Sequence, residues 1–506
     1  MTDVLETAEL KPSGVVETTH GPVRGFVDQG VEAFKGLRYG APPLGRLRFQ
    51  PPQAPAPWCE VADATALGAP AIQSAVPPGE LTGERGAGDP PAPGQPATDE
   101  DCLFLNVWTP RTGPETARPV MVWLHGGGFG AGSGGAAMYD GAALARRGDV
   151  VTVTVNHRLN VFGYLNLASL GGHPSSGVVG MLDLIQALEW VRDNIAAFGG
   201  DPGDVTIFGE SGGGWKVCLL MAMPDARGLF HKGVIQSGPG LRAVSAVKAA
   251  EAAKAVLAEL GVSPGALEPL QSLSAAAIQA AAAKVSPDSL LGAFAPSIDG
   301  VALPSDPFHP HAPAMSAHIP LMIGTNKDET TLFGLPGADK LERIAKTAVG
   351  DKADDLIAAL RAQYPDYSPT YLACAVQTVS MFWMNSVLLA ERKAAQGAAP
   401  VYMYRLDWET PAARGALKSP HALEIPLVFD NVEAARRFVG RGDAPQAMAD
   451  FMAPAWLAFA RTGNPNTSDL PHWPAYDPCE RATMVFDLEP RVELDPLAKV
   501  RRVMEG

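Results

Sequence analysis

Apolar runs of strand length recur through the middle of the chain and alternate with stretches of helical periodicity. Within Met181–Phe198 the apolar side chains share one helical face, which predicts an amphipathic helix. This alternation predicts an α/β fold in which helices cover both faces of a large, mostly parallel sheet. The predicted strands are Val120–His125, Val150–His157, Val205–Phe208, Val234–Gln236, Ile319–Gly324 and Val401–Leu406.

Two segments interrupt the alternation. Residues 69–99 are rich in Gly, Pro and Ala and contain no aromatic residue, so we expect a long surface loop. Residues 243–284 are rich in Ala and are predicted to form a helical cap insertion. Strand-like runs that fit one sheet lie on both sides of the Pro- and Gly-rich segment. We therefore expect a single domain over residues 1–506.

Charge and composition limit the classes of partner that this protein can bind. The net charge of −14 leaves no basic stripe that could neutralise phosphates, which argues against a nucleic-acid partner. No apolar run reaches the roughly 18 residues of a membrane span. The five cysteines show no paired spacing. The N-terminal residues lack the basic start and apolar run of a signal peptide. We therefore expect a cytoplasmic protein; the oligomeric state is not predicted.

The pattern Gly-x-Ser-x-Gly at residues 209–213 is the strongest chemical signal in the chain. It follows the β-branched run that begins at Val205 and precedes a predicted helix. In this context Ser211 is predicted to lie on a tight, strained turn that exposes its hydroxyl as a nucleophile. Side chains at Gly209 or Gly213 would collide with the neighbouring strand or helix.

A nucleophilic serine needs a base, and the base needs an acid that orients it. In α/β-hydrolase folds the three follow the chain order Ser, acid, His. Glu329 follows a predicted strand and is the favoured acid, with Asp328 as its competitor. Only His421 and His472 follow them, and His421 is the favoured base because His472 is interpreted as part of a rigid packing segment.

A glycine-rich turn after another strand supplies candidate donors for an oxyanion. Gly127 and Gly128 lie in this turn, and Gly212 directly follows the nucleophile, so their N–H groups are predicted to form an oxyanion hole. The same region contains one match to a dinucleotide-binding fingerprint at residues 130–135. A single match of this kind is weak, and it leaves the Ser, Glu and His residues unexplained.

Several motifs together resemble type-B carboxylesterases, the family that includes bacterial p-nitrobenzyl esterases and cholinesterases. The resemblance covers the chain from about Gly21 to its end and implies an α/β-hydrolase fold with Ser211, Glu329 and His421 as a catalytic triad. It also implies a buried polar network of Glu210, Ser237 and Glu424 beside the histidine. The motifs are EDCLFLNVW at 100–108, HGGGF at 125–129, NIAAFGGDP at 194–202, GESGG at 209–213, GTNKDE at 324–329 and HALEIPLVF at 421–429.

The sequence departs from the family pattern at the elbow, the tight turn between strand and helix that carries Ser211. Position 212 is usually alanine in the family, and Trp215 and Lys216 occupy positions where small residues are common. In the acyl pocket, where cholinesterases have bulky aromatic residues, the matching positions are Leu290 and Gly292. The resemblance therefore implies tolerance of acyl groups larger than acetyl.

The predicted function is hydrolysis of carboxylic esters of small molecules through an acyl-enzyme, with broad aryl and alkyl specificity. This chemistry needs neither a metal nor an organic cofactor, and its rate is expected to rise between about pH 6 and 7 as the histidine loses its proton. Two alternatives stay open: a carbamate or amide hydrolase that uses the same triad, and a non-catalytic, cholinesterase-like interaction module.

Overall fold

The computed structural model describes residues 11–73, 96–287 and 292–505. Thirteen strands of these residues form one sheet. The strands are β1 (Lys11–Glu17), β2 (Pro22–Asp28), β3 (Val31–Arg38), β4 (Ala62–Asp63), β5 (Phe104–Thr109), β6 (Arg118–Leu124), β7 (Val151–Val155), β8 (Gly200–Glu210), β9 (Lys232–Gln236), β10 (Leu321–Asn326), β11 (Val401–Leu406), β12 (Ala482–Phe486) and β13 (Arg491–Leu494).

The centre of the sheet is parallel and its edges are antiparallel. The strand order is β1-β2-β3-β5-β7-β6-β8-β9-β10-β11-β12-β13, and β4 pairs with β2. All neighbours from β7 through β12 in this order run parallel. The mostly parallel sheet is therefore confirmed. The six predicted strands correspond to β6–β11, although β8 begins at Gly200 because its first residue pairs with Arg118.

Fourteen α-helices lie among the described residues. They are α1 (Ala142–Gly148), α2 (Asn160–Tyr164), α3 (Val179–Asn194), α4 (Gly212–Ala222), α5 (Ala246–Glu259), α6 (Ala275–Val285), α7 (Leu341–Val349), α8 (Ala353–Gln363), α9 (Pro369–Thr378), α10 (Met384–Ala394), α11 (Glu424–Val428), α12 (Arg436–Val439), α13 (Ala444–Thr462) and α14 (Ala498–Glu505). The helix predicted at Met181–Phe198 is α3 followed by a 3₁₀ turn.

Helices bury both faces of the sheet. Alternate residues of a strand point to opposite faces, and in β6 Val120 and Val122 belong to the core formed with α3 and α4. Met121 and Trp123 belong instead to the core formed with α11 and α13. Such two-sided burial explains why the central strands read as continuous apolar runs instead of alternating ones.

Of the two segments that interrupt the strand–helix alternation, the structure describes one and only the ends of the other. The Ala-rich segment contains α5 and α6, which pack on α2 in a small separate core. The loop expected at 69–99 falls largely on residues 74–95, which lie outside the described residues. One helical stretch, Pro369–Ala394, is long and apolar enough to cross a membrane, but 67% of its most apolar window is buried within the protein, as in a core helix.

Parallel strands bring the candidate residues to one edge of the sheet. Ser211 follows β8, Glu329 follows β10 and His421 follows β11, and these strands lie close together with only β9 between β8 and β10. The glycine-rich turn follows β6, the neighbour of β8. The carboxyl ends of these strands therefore form the floor of the site.

Candidate active site

Ser211 lies on a strained turn between β8 and α4. Its backbone has φ 55° and ψ −122°, a conformation that L-residues rarely adopt. A Cβ at Gly209 would lie 2.5 Å from the backbone of Gly213, and one at Gly213 would lie 1.9 Å from the carbonyl oxygen of Leu124. The two flanking glycines are thus required by close backbone contacts, as the sequence predicts.

The imidazole of His421 contacts Glu329 and not Asp328. Nδ1 of His421 lies 2.6 Å from Oε2 of Glu329, and the backbone N–H of His421 donates to the carbonyl of Glu329 at 3.1 Å. Asp328 points away and accepts a hydrogen bond from the hydroxyl of Tyr367 at 2.6 Å. His472, interpreted from the sequence as a packing element, is exposed, and its neighbour Trp473 is the buried residue.

The other nitrogen of the His421 ring faces Glu210. Nε2 lies 3.0 Å from Oε1 of Glu210, which directly precedes Ser211. The structure therefore brings the imidazole to the elbow, but no hydrogen bond joins Nε2 to Oγ of Ser211. Hydrogen bonds between catalytic groups are often long or absent until substrate binds.

Two carboxylates control the protonation of this imidazole. Burial lowers the pKa of His421, but the charges of Glu210 and Glu329 raise it by more, and the net result is a pKa well above the ordinary value. Burial raises the pKa of Glu210, and His421 opposes that change. The resting arrangement therefore favours a protonated ring held between two carboxylates.

A network of buried side chains supports this pair. Glu424 accepts hydrogen bonds from Asn326 at 2.6 Å and from Gln236 at 3.2 Å, and Gln236 accepts one from the indole of Trp456 at 3.0 Å. The structure does not join Ser237 to this network, because its buried hydroxyl has no hydrogen-bond partner among the described residues.

Sequence reasoning missed Gln236 and Asn326. Both are polar residues at the last position of a buried strand, β9 and β10 respectively. The available signal was a polar side chain at the end of an apolar run, because the carboxyl ends of parallel strands are where ligands bind.

The predicted donors of the oxyanion hole lie next to one another. A Cβ at Gly212 would lie 2.2 Å from the carbonyl oxygen of Gly128, so the two backbones are in direct contact. Gly127 and Gly128 both have positive φ, of 81° and 60°, which favours glycine. The N–H groups of Gly127, Gly128 and Gly212 have no acceptor within the described part of the chain and are available to a ligand.

Aromatic side chains flank the candidate base, and only one of the two residues assigned to the acyl pocket lies among the described residues. The ring centroids of Phe333 and Phe382 lie 5.2 and 5.0 Å from that of His421. Leu290, assigned to the acyl pocket, lies outside the described residues, and Gly292 is half-buried.

Comparisons with known proteins agree with this geometry. A family model described as the carboxylesterase family matches residues 12–502. The para-nitrobenzyl esterase of Bacillus subtilis (strain 168) is 38% identical, with 96% of this chain and 98% of that protein covered. The phenmedipham hydrolase of Pseudarthrobacter oxydans is 33% identical, with 93% of this chain and 94% of that protein covered. The crystal structure of the Geobacillus stearothermophilus carboxylesterase EST55 at pH 6.2 matches with a TM-score of 0.83 and 38% identity, covering 97% of this chain and all of that one (100%).

Proposed function

Since this chain belongs to the carboxylesterase family and is a carboxylic ester hydrolase with the α/β-hydrolase fold, we propose that Ser211 is its nucleophile, His421 its general base and Glu329 the acid that orients the base. The observation that carries the assignment is the 2.6 Å contact between His421 and Glu329 beside the strained turn of Ser211. Asp328, the competing acid, makes its hydrogen bonds elsewhere.

Acylation begins when Nε2 of His421 accepts the proton of the Ser211 hydroxyl. The oxygen of Ser211 attacks the ester carbonyl, and the resulting oxyanion accepts hydrogen bonds from the N–H groups of Gly127, Gly128 and Gly212. His421 then gives its proton to the departing alkoxide, and the alcohol leaves. Water repeats the sequence on the acyl-enzyme and releases the acid.

Glu210 and Glu424 act on the charge of the imidazole. During turnover the ring becomes a cation, and Glu210 lies 3.0 Å from Nε2 to stabilise it. Glu424, held by Asn326 and Gln236, is a third buried carboxyl group, and its charge interacts with that of the imidazole. Burial, followed by the charges of Glu210 and Glu329, raises the pKa of Glu424 to about 8, so its share of the negative charge varies with pH near neutrality.

Small-molecule esters are the substrates of this family, and we propose broad aryl and alkyl specificity for this chain. The similarity to a para-nitrobenzyl esterase supports an arylalkyl alcohol, and the absence of a side chain at Gly292 supports acyl groups larger than acetyl. A carbamate or amide bond remains the second candidate, because the same triad can attack it.

We also propose a cytoplasmic location. All five cysteines are unpaired, and Cys102, Cys218 and Cys374 are buried as free thiols, which suits a reducing compartment. Fractionation of cells that express the full chain tests this proposal: recovery of the protein mainly from the periplasmic or extracellular fraction would contradict it.

Covalent labelling tests the assignment of the nucleophile. A fluorophosphonate probe is expected to label the wild-type protein, and Ser211→Ala is expected to lose both the labelling and the hydrolysis of p-nitrophenyl esters. Labelling that persists in Ser211→Ala would refute the assignment. A folded wild type that neither reacts nor hydrolyses would favour the interaction module. Acetyl, hexanoyl and benzoyl esters of one alcohol, with a matching carbamate and anilide, then define the preferred bond and acyl group.

A further inference from the structure

A lysine is buried directly behind the predicted oxyanion hole. Lys216 lies in α4, five residues after Ser211 in sequence numbering, and its side chain is completely buried. Its Nζ donates hydrogen bonds to the carbonyl oxygens of His125 and Gly128, both at 2.9 Å. No carboxylate lies within ion-pair distance of this amine among the described residues, so backbone oxygens are its partners.

The two acceptor carbonyls lie on the peptide planes before and after the two planes that carry the N–H groups of Gly127 and Gly128. The carbonyl of Gly126 faces Nδ1 of His125 at 2.9 Å, and that of Gly127 accepts from the backbone N–H of Ala131 at 3.1 Å. Four consecutive carbonyls from His125 to Gly128 are therefore fixed, and Lys216 holds the first and the last. Fixing a carbonyl fixes the peptide plane to which it belongs.

The carbonyl of Gly128 also contacts the elbow. A Cβ at Gly212 would lie 2.2 Å from this carbonyl oxygen. Both sides of the contact are backbone, which cannot move aside freely. Gly212 and Lys216 are two of the positions at which the sequence departs from the family pattern it resembles. Both departures meet at this one oxygen atom, which indicates that they belong together.

We propose that Lys216 is a positioning residue for the oxyanion hole, with Gly212 as its required counterpart. It fixes the carbonyls of His125 and Gly128, whose peptide planes lie on either side of the two planes that carry the N–H groups of Gly127 and Gly128. The proposal rests on the proposed role of Gly127, Gly128 and Gly212 as oxyanion donors. Lys216 contacts neither substrate nor reacting atoms, and it acts only through the backbone that does.

The positioning does not require a charged amine. Burial lowers the pKa of Lys216 to about 7, with Glu210 opposing the change, and the buried imidazoles of His125 and His157 face the same region. A neutral amine still carries two N–H donors, which matches the two carbonyls. The contribution of Lys216 to catalysis is therefore expected to be the same on both sides of pH 7.

Lys216→Met tests the proposal because it keeps the length of the side chain and removes its donors. We expect kcat to fall by about 10–100-fold with little change in KM, since a small misplacement of catalytic groups costs up to about this much. Affinity for a trifluoromethyl ketone, which adds to Ser211 and places an oxyanion in the hole, is expected to fall by the same factor. The loss is expected to be equal at pH 6 and pH 9. Rates are expressed per active site, titrated with a fluorophosphonate.

Lys393 provides a matched control. It is also buried, and its Nζ donates to two backbone carbonyls, those of Ser316 at 2.9 Å and Ala317 at 2.6 Å. Lys393→Met is expected to lower stability in the same way while leaving kcat per active site and ketone affinity unchanged. If Lys216→Met does not fold, Lys216→Gln, which retains an amide donor, takes its place with the same readouts and a smaller expected loss.

A double-mutant cycle tests the link with Gly212. Gly212→Ala alone is expected to lower kcat by displacing the Gly128 carbonyl, and its effect is expected to be clearly smaller in a Lys216→Met background, where that carbonyl is free to move. Unchanged kcat and ketone affinity in Lys216→Met, or strictly additive losses in the cycle, would overturn the proposal. Loss of activity in Ser211→Ala, measured alongside, would show that the proposed role of Ser211 as the nucleophile stands even then.

Discussion

Nε2 of His421 lies 3.0 Å from Oε1 of Glu210, the residue that directly precedes the proposed nucleophile. With Glu329 at 2.6 Å from the opposite nitrogen, the ring is held between two carboxylates. A protonated ring fits this arrangement because its positive charge is attracted by both carboxylates, and the contact of Nε2 with Glu210 is an ion-pair contact without an aligned hydrogen bond. When Nε2 loses its proton it becomes an acceptor, and the hydroxyl of Ser211 is then a better partner than a carboxylate.

The first prediction concerns the pH dependence of kcat/KM. Because the pKa of His421 is raised well above its ordinary value, the rising limb of the pH profile is expected to lie at higher pH than the window of about 6 to 7 expected from the sequence alone. Glu210→Gln removes a charge that raises this pKa, so the rising limb is expected to move to lower pH. Asp225→Asn removes one exposed charge and serves as the control. A limb that stays in place or moves to higher pH in Glu210→Gln would contradict this account.

The second prediction separates the two neighbouring acids. Glu329→Gln is expected to lower kcat by about 10⁴-fold, because an amide cannot hold the imidazole in the required tautomer. Asp328→Asn, which alters the hydrogen bond with Tyr367 instead, is expected to keep kcat close to wild type and to lower the free energy of unfolding by about 1 kcal/mol. Steady-state kinetics and urea unfolding measure both effects, and the reverse order of kcat values would assign the acid to Asp328.

The third prediction concerns a buried ion pair that follows β7. Arg158 binds Asp183 through two side-chain hydrogen bonds of 2.8 and 2.6 Å, and both residues are almost completely buried. Arg158→Met leaves a buried carboxylate without its partner and is expected to cost about 3–5 kcal/mol of stability. Arg158→Met combined with Asp183→Leu is expected to recover much of that loss. Equal denaturation midpoints for wild type and the single variant would be inconsistent with a charged Asp183.

The fourth prediction concerns the elbow. Gly213→Ala would place a Cβ 1.9 Å from the carbonyl oxygen of Leu124, and the expected loss is about 3 kcal/mol, the upper end of the usual cost of overpacking. Gly14→Ala is the control, because no atom lies within 4 Å of a Cβ at that position. Thermal unfolding compares the two variants. A Gly213→Ala protein as stable as Gly14→Ala would mean that the turn adapts easily.

The order of strands and helices could be predicted because it follows from local patterns of apolar and polar residues. The buried runs of β6–β11 are visible in the sequence, and their residues are mostly apolar and buried on both faces of the sheet. Strand ends were less predictable, since they depend on the neighbouring strand. β8 is longer than its apolar run because Gly200 pairs with Arg118, a contact between residues far apart in sequence.

The candidate site was predictable at the level of residue identity but not of hydrogen-bond partners. Ser211, Glu329 and His421 were found from motif and chain order, whereas the choice between Gln236 and Ser237 depends on which side chain points inward at the end of β9. Lys216 was the hardest case. Lysine is normally exposed, so nothing in its sequence neighbourhood indicates that its amine reaches the carbonyls of the turn after β6.

The groups of the proposed triad come from distant parts of the chain, and β11 and Trp456 support them from its last quarter. The ribosome adds Ser211 to the growing chain long before it adds His421. A nascent polypeptide that has already folded its first strands therefore carries the proposed nucleophile without the proposed base. If these assignments hold, hydrolysis begins only after the final segments have been synthesised and have docked, and the growing chain is inactive without a separate inhibitory segment.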